Sequence, residues 1–458
     1  MDQHRSASTV LAFALLLSLA GCGGVPGGPA PAASPAPDAQ TPEAATAETA
    51  VQPFALDGTL TGAGVHSGYG NQDGFYTVRY AADGTANVMF VDYAAGVETY
   101  LCASPNCTHD SEACTSWCGC PANIPDVFPA GDRLVWVYLG NPEYVDEYGD
   151  AARCKIEVSR LDGSDRKTAA VLDPRLQLVY GSICVGENAV AALVSALQDG
   201  SEQLEETWQL LLIPLDGGEI QTVAEFSADD FSVLELAGGG DGVIHLVKTQ
   251  PSEDFKKRLE DLRNGTATPD PETGVGFDSA EAIASNVSQI VSVHGNGNFV
   301  ETEVRWKSVA GSYQVIGNRM ILLESDTEGL TLRDIDLASG EEQARKVLLP
   351  PVEVPFAEYT NRLSLCAVTD DWLIVRNSFS DHSSPQTVQQ LLAIRRQTGE
   401  VTQLPDWSAA LGGDWLPAAA TADYLLLMQK GGTQFFVAGL PQALAQQGTP
   451  KAVRKVSP

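Results

Sequence analysis

The chain has 458 residues, of which 44% are hydrophobic, so it contains enough apolar material for a folded core. It carries 59 acidic and 28 basic residues, and the resulting formal net charge of -31 is spread along the chain. This negative charge argues against binding to nucleic acid and against direct binding to anionic lipid.

An apolar run near the N-terminus predicts export. Residues 9–20 (TVLAFALLLSLA) have the length of a signal-peptide hydrophobic region, whereas a membrane-spanning helix requires about 20 residues. Leu19-Ala20-Gly21-Cys22 resembles the lipobox of bacterial lipoproteins, whose cysteine is diacylated and becomes the new N-terminus. The resemblance implies that residues 1–21 are a lipoprotein signal peptide. It also implies that a lipid on Cys22 anchors an extracytoplasmic protein to the outer face of the cell membrane.

A tether is predicted to follow the anchor. Residues 22–53 are dominated by Ala, Pro, Gly and Thr, and such a segment cannot bury enough apolar surface to offset the entropy of ordering it. The sequence therefore predicts a flexible tether, then a folded body over residues 54–450, and a C-terminal tail over residues 451–458.

The body contains a repeated pattern, in which an Asp or Asn and one further residue precede a continuous apolar run. The pattern starts at Asp73, Asp132, Asn188, Asp241, Asn318, Asp371 and Asp423. Five of the six steps between these positions are 52 to 59 residues long, and the fourth is 77. Continuous apolar runs are typical of strands covered on both faces. Hairpin turns after several copies are indicated by Asp92, Asp162, Asp216 and Asp336 with their neighbouring glycines.

A repeat of about 50 residues with about four short strands is typical of a propeller blade. The sequence therefore predicts an all-β fold, a seven-bladed β-propeller, in which stacking around an axis buries the apolar runs. A β-solenoid fits less well because its repeats are shorter, and two packed sandwiches would not require one uniform period. The segment at residues 54–62 precedes the first copy and is a candidate for the strand that closes the ring.

The 77-residue step predicts a small helical insertion in the fourth blade, at residues 252–290. A first helix is indicated by Phe255, Leu259 and Leu262, which would share one helical face. A second helix is indicated by a capping box and one apolar face, formed by Asp278, Glu281, Ile283, Val287 and Ile290.

Five of the nine cysteines lie in one loop, at residues 102–120. Cys102, Cys107, His109 and Cys114 have the spacing C-x4-C-x-H-x4-C, a set of soft ligands that could close a tetrahedral zinc site, with further thiolates at Cys118 and Cys120. With Cys22 taken by lipid, eight cysteines remain, and an oxidising compartment favours disulfides. Metal binding, disulfides and free thiols all stay open at this point.

The same loop carries a family resemblance. A strand ending in Leu-Cys, then Cys-x-His and a further Cys, resembles a pattern in lipid-anchored, exported β-propeller-like proteins of Gram-positive bacteria. The similarity covers residues 100–114 closely, and Cys118 and Cys120 go beyond it. The resemblance implies the class of protein and brings no activity with it.

The sequence contains no GxSxG, HExxH, Walker A or EF-hand motif. His245 lies inside an apolar run and is therefore predicted to be a core side chain. The predicted function is a lipid-anchored cell-surface propeller that binds a protein or a cell-wall glycan, through one mouth of the ring and the helical insertion, with no catalysis evident. One alternative is a propeller enzyme for glycans or phosphoesters with carboxylates grouped at the central channel. Another is a structural subunit of an envelope complex. Zinc is the one candidate cofactor.

Overall fold

The computed structural model describes residues 51–62, 69–197, 204–227, 233–266, 285–308, 311–326, 329–384, 386–411, 415–429 and 434–455. Regular structure in these residues is mostly β-strand, which confirms the predicted all-β class. The helical segments are Pro142–Tyr144, Val145–Tyr148, Gly149–Ala152, Glu253–Arg263, Ser408–Leu411 and Leu440–Leu444. None of the helices described is long and apolar enough to cross a membrane.

In the described part of the chain, the strands form seven groups of four that pair antiparallel in chain order. Groups 1 to 3 are β2–β5 (Tyr69–Gly70, Gly74–Tyr80, Ala86–Asp92, Val97–Tyr100), β7–β10 (Asp126–Ala130, Arg133–Tyr138, Lys155–Arg160, Lys167–Val171) and β11–β14 (Leu176–Val185, Ala189–Leu197, Leu204–Pro214, Gln221–Ser227). Groups 4 and 5 are β15–β18 (Val233–Gly240, Val243–Pro251, Asn286–His294, Phe299–Lys307) and β19–β22 (Gly311–Ile316, Arg319–Asp326, Gly329–Asp336, Glu342–Val347). Groups 6 and 7 are β23–β26 (Tyr359–Val368, Trp372–Asp381, Thr387–Arg395, Val401–Gln403) and β27–β30 (Trp415–Ala420, Tyr424–Gln429, Phe435–Gly439, Lys451–Ala452). Three short strands lie outside the groups: β1 (Thr59–Gly62), β6 (Trp117–Cys118) and β31 (Arg454–Lys455).

The predicted apolar runs are all strands, and each is the second strand of its group, namely β3, β8, β12, β16, β20, β24 and β28. The predicted hairpin turns are present as well. At one of them, Gly163 has φ +80°, and Asp162 Oδ1 accepts a hydrogen bond from the Ser164 N–H at 2.9 Å. The short carboxylate thus satisfies a backbone donor, and glycine supplies the left-handed conformation that the turn requires.

Apolar side chains on the second strands alternate between two cores, one on each side of the group. In β8, Val135 and Val137 belong to the core shared with group 3. Their neighbours Leu134 and Trp136 belong to the core shared with group 1. Because both faces of the strand are covered, the run in the sequence is continuous rather than alternating.

The last group packs against the first. Leu426 and Phe435 of group 7 share a core with Phe75 and Val91 of group 1. The C-terminus reinforces this contact, because β31 pairs parallel with β5 and β30 pairs with β29. The predicted tail, residues 451–458, is therefore part of the sheets as far as residue 455.

The N-terminal segment, residues 51–62, is placed differently from the prediction. Its strand β1 does not extend an outer edge; it pairs antiparallel with the first strands β11, β15 and β19 of groups 3 to 5. Val51 and Gln52, expected in the tether, are also held by group 3, because Val51 forms a bridge with Ala224 and the Gln52 N–H donates to the Val223 carbonyl oxygen at 2.7 Å. Phe54, Leu56 and Leu60 are buried between groups 3 and 4, and this burial drives the segment inward.

The insertion in group 4 contains the helix Glu253–Arg263. Ser252 Oγ caps it by accepting the Phe255 N–H at 3.4 Å, and Phe255 and Leu259 are buried. The prediction of a second helix is wrong at Val287 and Ile290, which lie in β17. Nine consecutive residues of β17 pair with β16, and this pairing overrides the local helical period. Asp278, Glu281 and Ile283 lie outside the described residues.

Each group has two ends that differ in their connections. At the end that we name the turn end, short turns join first to second strands, as at Gly242 between β15 and β16. At the opposite end, the loop end, second strands lead into third strands through connections that include residues 139–154 and the helix Glu253–Arg263. The Cys-rich loop is also at the loop end, because its strand β6 pairs with the first residues of β4.

His245 is a core side chain, as predicted, and is 1% exposed. Its Nδ1 lies 2.9 Å from Ser292 Oγ and its Nε2 lies 2.9 Å from Asn318 Oδ1. A neutral ring satisfies both contacts by donating to the amide oxygen and accepting from the hydroxyl. Burial lowers the pKa of His245 to about 4.

We expect this histidine to make stability depend on pH. In the unfolded chain the ring takes up a proton below its ordinary pKa of about 6.5, whereas in the folded protein it stays neutral until about pH 4. Stability from His245 is therefore complete above pH 6.5 and falls by on the order of 3 kcal/mol as the pH drops to 4. Urea unfolding across this range should show a shallower fall for His245→Gln than for the natural protein. Equal slopes for the two proteins would contradict the prediction.

Candidate metal centre

The Cys-rich loop connects β5 of group 1 to β7 of group 2. Its strand β6 pairs with β4, where Cys118 lies opposite Ala86 and Trp117 opposite Asn87. Thr115 Oγ1 donates a hydrogen bond of 2.7 Å to the Leu101 carbonyl oxygen. These contacts hold both ends of the loop against group 1. The middle part of the loop therefore folds over the strands of that group.

Four of the six predicted ligands converge. One ligand atom from each of Cys102, Cys107, His109 and Cys114 lies within 4.8 Å of the other three. His109 Nδ1 is 3.2 Å from Cys114 Sγ. Sulfur atoms in a tetrahedral zinc site lie about 3.8 Å apart, because Zn–S bonds are about 2.3 Å long. The Cys/His cluster, as we call these four residues, could therefore hold a metal ion.

The backbone of the loop adopts an uncommon conformation to bring these side chains together. Asn106 and His109 both have φ +58°, in the left-handed region that non-glycine residues seldom enter. These two positions fold the chain back between Cys102 and Cys114. Asparagine tolerates this region, whereas at His109 the surrounding contacts have to hold the backbone in place.

Three residues outside the predicted set support the cluster. The Tyr100 ring stacks on the His109 ring with centroids 4.0 Å apart and planes 4° from parallel. Asn87 Nδ2 donates to the His109 carbonyl oxygen at 3.1 Å, and Asn87 Oδ1 accepts from Ser116 Oγ at 2.8 Å. Ser116 Oγ also lies 3.1 Å from Cys114 Sγ. Through Asn87 the cluster is fixed to β4, and partners of this kind orient metal ligands.

The thiols of the cluster differ in acidity. Partial burial acts to raise the pKa of Cys102, but hydrogen bonds from the backbone of Ser104 and Thr115 and from the thiols of Cys114 and Cys107 lower it to about 6. Burial raises the pKa of Cys114 to about 11. Cys102 is thus the cysteine of this pair that more readily becomes a thiolate, the form that binds metal.

The other two predicted ligands are not part of the cluster. Cys118 lies in the apolar core between groups 1 and 2, and its burial raises its pKa to about 12. Cys120 is also buried, which raises its pKa. All eight cysteines in the described residues are free thiols. Three sulfurs and one nitrogen gathered at one point could hold a metal ion. Cys22 lies outside the described residues.

No family model and no curated protein matches this chain. Solved structures that are similar include an acylaminoacyl peptidase in complex with Z-Gly-Gly-Phe-chloromethyl ketone (TM-score 0.45, 11% identity, 86% of this chain and 52% of that chain covered). They also include the β-propeller domain of the trilobed protease from Pyrococcus furiosus (TM-score 0.43, 10% identity, 87% and 97% covered). A third is a family PL25 polysaccharide lyase, an ulvan lyase (TM-score 0.42, 11% identity, 88% and 95% covered). The chain spans about half the length of the acylaminoacyl peptidase.

Proposed function

We propose that this protein is a lipid-anchored, seven-bladed β-propeller on the outer face of the cell membrane, with a helical insertion in its fourth blade. Each of the seven strand groups corresponds to one blade in this proposal. It is supported by the apolar cores, which lie between consecutive groups and also between groups 7 and 1. That arrangement is what a closed ring requires, because a single blade leaves both faces of its sheet exposed.

We propose further that the protein is a binding module for a protein or a cell-wall glycan, and that the Cys/His cluster holds zinc in a structural role. The observation that carries the zinc assignment is the number of protein donors in the cluster. Four donors, from Cys102, Cys107, His109 and Cys114, would complete a tetrahedral shell around zinc. Catalytic zinc sites have three protein ligands and keep a position open for water or substrate. A closed shell therefore fits the ordering of a loop rather than catalysis.

Zinc in the cluster would also order a neighbouring segment, at residues 140–153. Asn123, which follows the cluster in sequence, donates from Nδ2 to the carbonyl oxygens of Ala151 and Arg153 at 3.0 and 2.9 Å. Asn123 Oδ1 accepts the Gly140 N–H at 3.0 Å. The Cys-rich loop is thus joined to the segment at residues 140–153, and we propose that these two stretches form part of the partner-binding surface at the loop end.

The proposal is tested by mass spectrometry and metal analysis of the full chain extracted from its native membrane. We expect one zinc ion per chain and a mature N-terminal peptide that begins at Cys22 and carries diacylglycerol. A chain without metal would contradict the structural zinc site. A Cys22 residue without lipid would contradict the anchor. Pull-down with purified cell-wall fragments then tests the binding role.

A further inference from the structure

The three thiols of the Cys/His cluster differ in their access to solvent. Cys102 and Cys107 are half-buried, whereas Cys114 is 1% exposed. Cys114 Sγ also has two polar neighbours, Ser116 Oγ at 3.1 Å and His109 Nδ1 at 3.2 Å. A small oxidant that approaches from solvent therefore meets Cys102 or Cys107 before it meets Cys114.

The two more accessible thiols are close enough to react with each other. Their Sγ atoms belong to the set of four ligand atoms that all lie within 4.8 Å of one another. Both residues lie between β5 and β6, and Asn106, with φ +58°, turns the chain immediately before Cys107. A disulfide requires Cβ atoms about 3.8 Å apart, so a bridge between Cys102 and Cys107 can form by a rearrangement within this loop.

We infer that the Cys/His cluster is a redox switch, in which hydrogen peroxide oxidises Cys102 and Cys107 to a disulfide and the zinc ion is released. The inference rests on the structural zinc site proposed above and adds the regulation of that site. The other loop cysteines are poor competitors for the oxidant, because Cys118 and Cys120 are both buried.

The reaction is a two-electron oxidation of two thiolates. The first thiolate attacks one oxygen of the peroxide, the O–O bond breaks, and a sulfenic acid and hydroxide result. The second thiolate then attacks the sulfenic sulfur, forms the S–S bond and displaces a second hydroxide. Cys114 and His109 are the two donors that remain, which is too few for the tetrahedral shell of a structural zinc ion.

The proposed location outside the membrane suits such a switch. Thiols in the cytosol are kept reduced by glutathione and thioredoxin, whereas an exported protein has no contact with these pools. A disulfide formed at Cys102 and Cys107 would therefore persist until a thiol reductant exchanges with it.

Release of zinc is expected to loosen the segment at residues 140–153. The Gly140 N–H donates to Asn123 Oδ1 at 3.0 Å, and Asn141 Nδ2 donates to the Ala122 carbonyl oxygen at 3.4 Å. Both acceptors lie in the stretch that joins the cluster to β7. Once the metal no longer orders the loop, these hydrogen bonds open more often and the Gly140 amide exchanges faster with solvent. Oxidation would thus weaken the proposed partner-binding surface at the loop end.

Treatment of the zinc-loaded full chain with hydrogen peroxide tests the switch. A colorimetric chelator measures the released zinc, and cleavage before aspartate followed by mass spectrometry locates the disulfide. Cleavage at Asp92, Asp110 and Asp126 gives a fragment 92–109, whose only cysteines are Cys102 and Cys107, and a fragment 110–125. We expect one zinc ion released for each disulfide formed within fragment 92–109. A bridge to Cys114 would instead link the two fragments.

Cys107→His removes one of the two oxidisable thiols and supplies another zinc ligand in its place. We expect this variant to release zinc at least about tenfold more slowly than the natural protein, because the bridge cannot form. Cys118→Ser, outside the cluster, is the matched control and should release zinc at the natural rate. If Cys107→His binds no zinc, the position of the disulfide in the natural protein decides the question.

Hydrogen exchange measured by mass spectrometry tests the effect on the neighbouring segment. After oxidation we expect faster exchange at residues 140–153 and unchanged exchange in β12, which lies in group 3. Thiol reductant together with added zinc should restore the original rates. Unchanged exchange at residues 140–153 after zinc release would overturn the link between the switch and the binding surface.

The outcomes separate this inference from the proposed function. Reduced protein that contains no zinc would overturn both. Zinc-loaded protein that keeps its metal under peroxide would overturn the switch and leave the structural zinc site intact. The same conclusion would follow from a disulfide between other cysteines, or from zinc release without a disulfide.

Discussion

Replacing Cys107 with serine is expected to abolish stoichiometric zinc binding and to lower the free energy of unfolding. The hydroxyl of serine is a poor ligand for zinc, so three donors remain of the four that complete the cluster. A metal that binds only the folded state adds about 4 kcal/mol when its free concentration is about a thousand times its Kd. We expect a loss of this order, measured by urea unfolding with and without chelator, together with metal analysis.

Cys118→Ser is the matched control for this experiment. Cys118 belongs to the same loop but lies in the apolar core, away from the Cys/His cluster. This variant should keep its zinc and should respond to chelator like the natural protein, with a modest loss of stability from placing a hydroxyl in an apolar core. If Cys107→Ser retained zinc, or if Cys118→Ser lost it, the assignment of the ligands would be wrong.

Replacing Leu60 with alanine is expected to lower the free energy of unfolding by about 3 kcal/mol. Leu60 is 1% exposed and packs in the core that joins groups 3 and 4. Truncation removes buried methyl groups and leaves a cavity that the surrounding strands can only partly fill. Urea unfolding monitored by tryptophan fluorescence measures the change.

Leu348→Ala is the control, because it makes the same substitution at an exposed position. Leu348 is 87% exposed, so its truncation should change stability by less than about 0.5 kcal/mol. A similarly small effect at Leu60 would mean that the N-terminal segment does not contribute to the folded core in solution.

Glycines beside the N-terminal segment explain why this segment fits where it does. A Cβ atom at Gly186 would lie 2.6 Å from the Thr59 carbonyl oxygen, and one at Gly295 would lie 2.6 Å from the Phe54 carbonyl oxygen. Any larger residue at these positions would have to push the segment outward. The segment is therefore accommodated by residues in groups 3 and 4 that lie far from it in sequence, and no local pattern could have predicted this position.

Strands were more predictable than the connections. The run at Leu425, Leu426 and Leu427 is fully buried because successive side chains enter two different cores. That two-sided burial leaves a direct signature in the sequence. The spacing of Val287 and Ile290 also suits a helix, and only the long pairing of β17 with β16 decides in favour of a strand.

The ligands of the candidate site could be predicted from spacing, but their supporting contacts could not. Cys102, Cys107, His109 and Cys114 are close in sequence, so a single loop can bring them together. Asn87 supports them from β4, a position that depends on how the loop folds back over group 1. The separation of Cys118 from the cluster likewise depends on the pairing of β6 with β4, which the sequence does not reveal.

The path of the N-terminal segment determines how the protein would respond to a mechanical load. A pulling force applied ahead of residue 51 would act first on the bridge between Val51 and Ala224. It would then act in turn on Phe54, Leu56 and Leu60, so the segment would detach from groups 3 and 4 in chain order. Rupture would thus proceed contact by contact along residues 51–62 before the load passed to group 1, the next group in the chain.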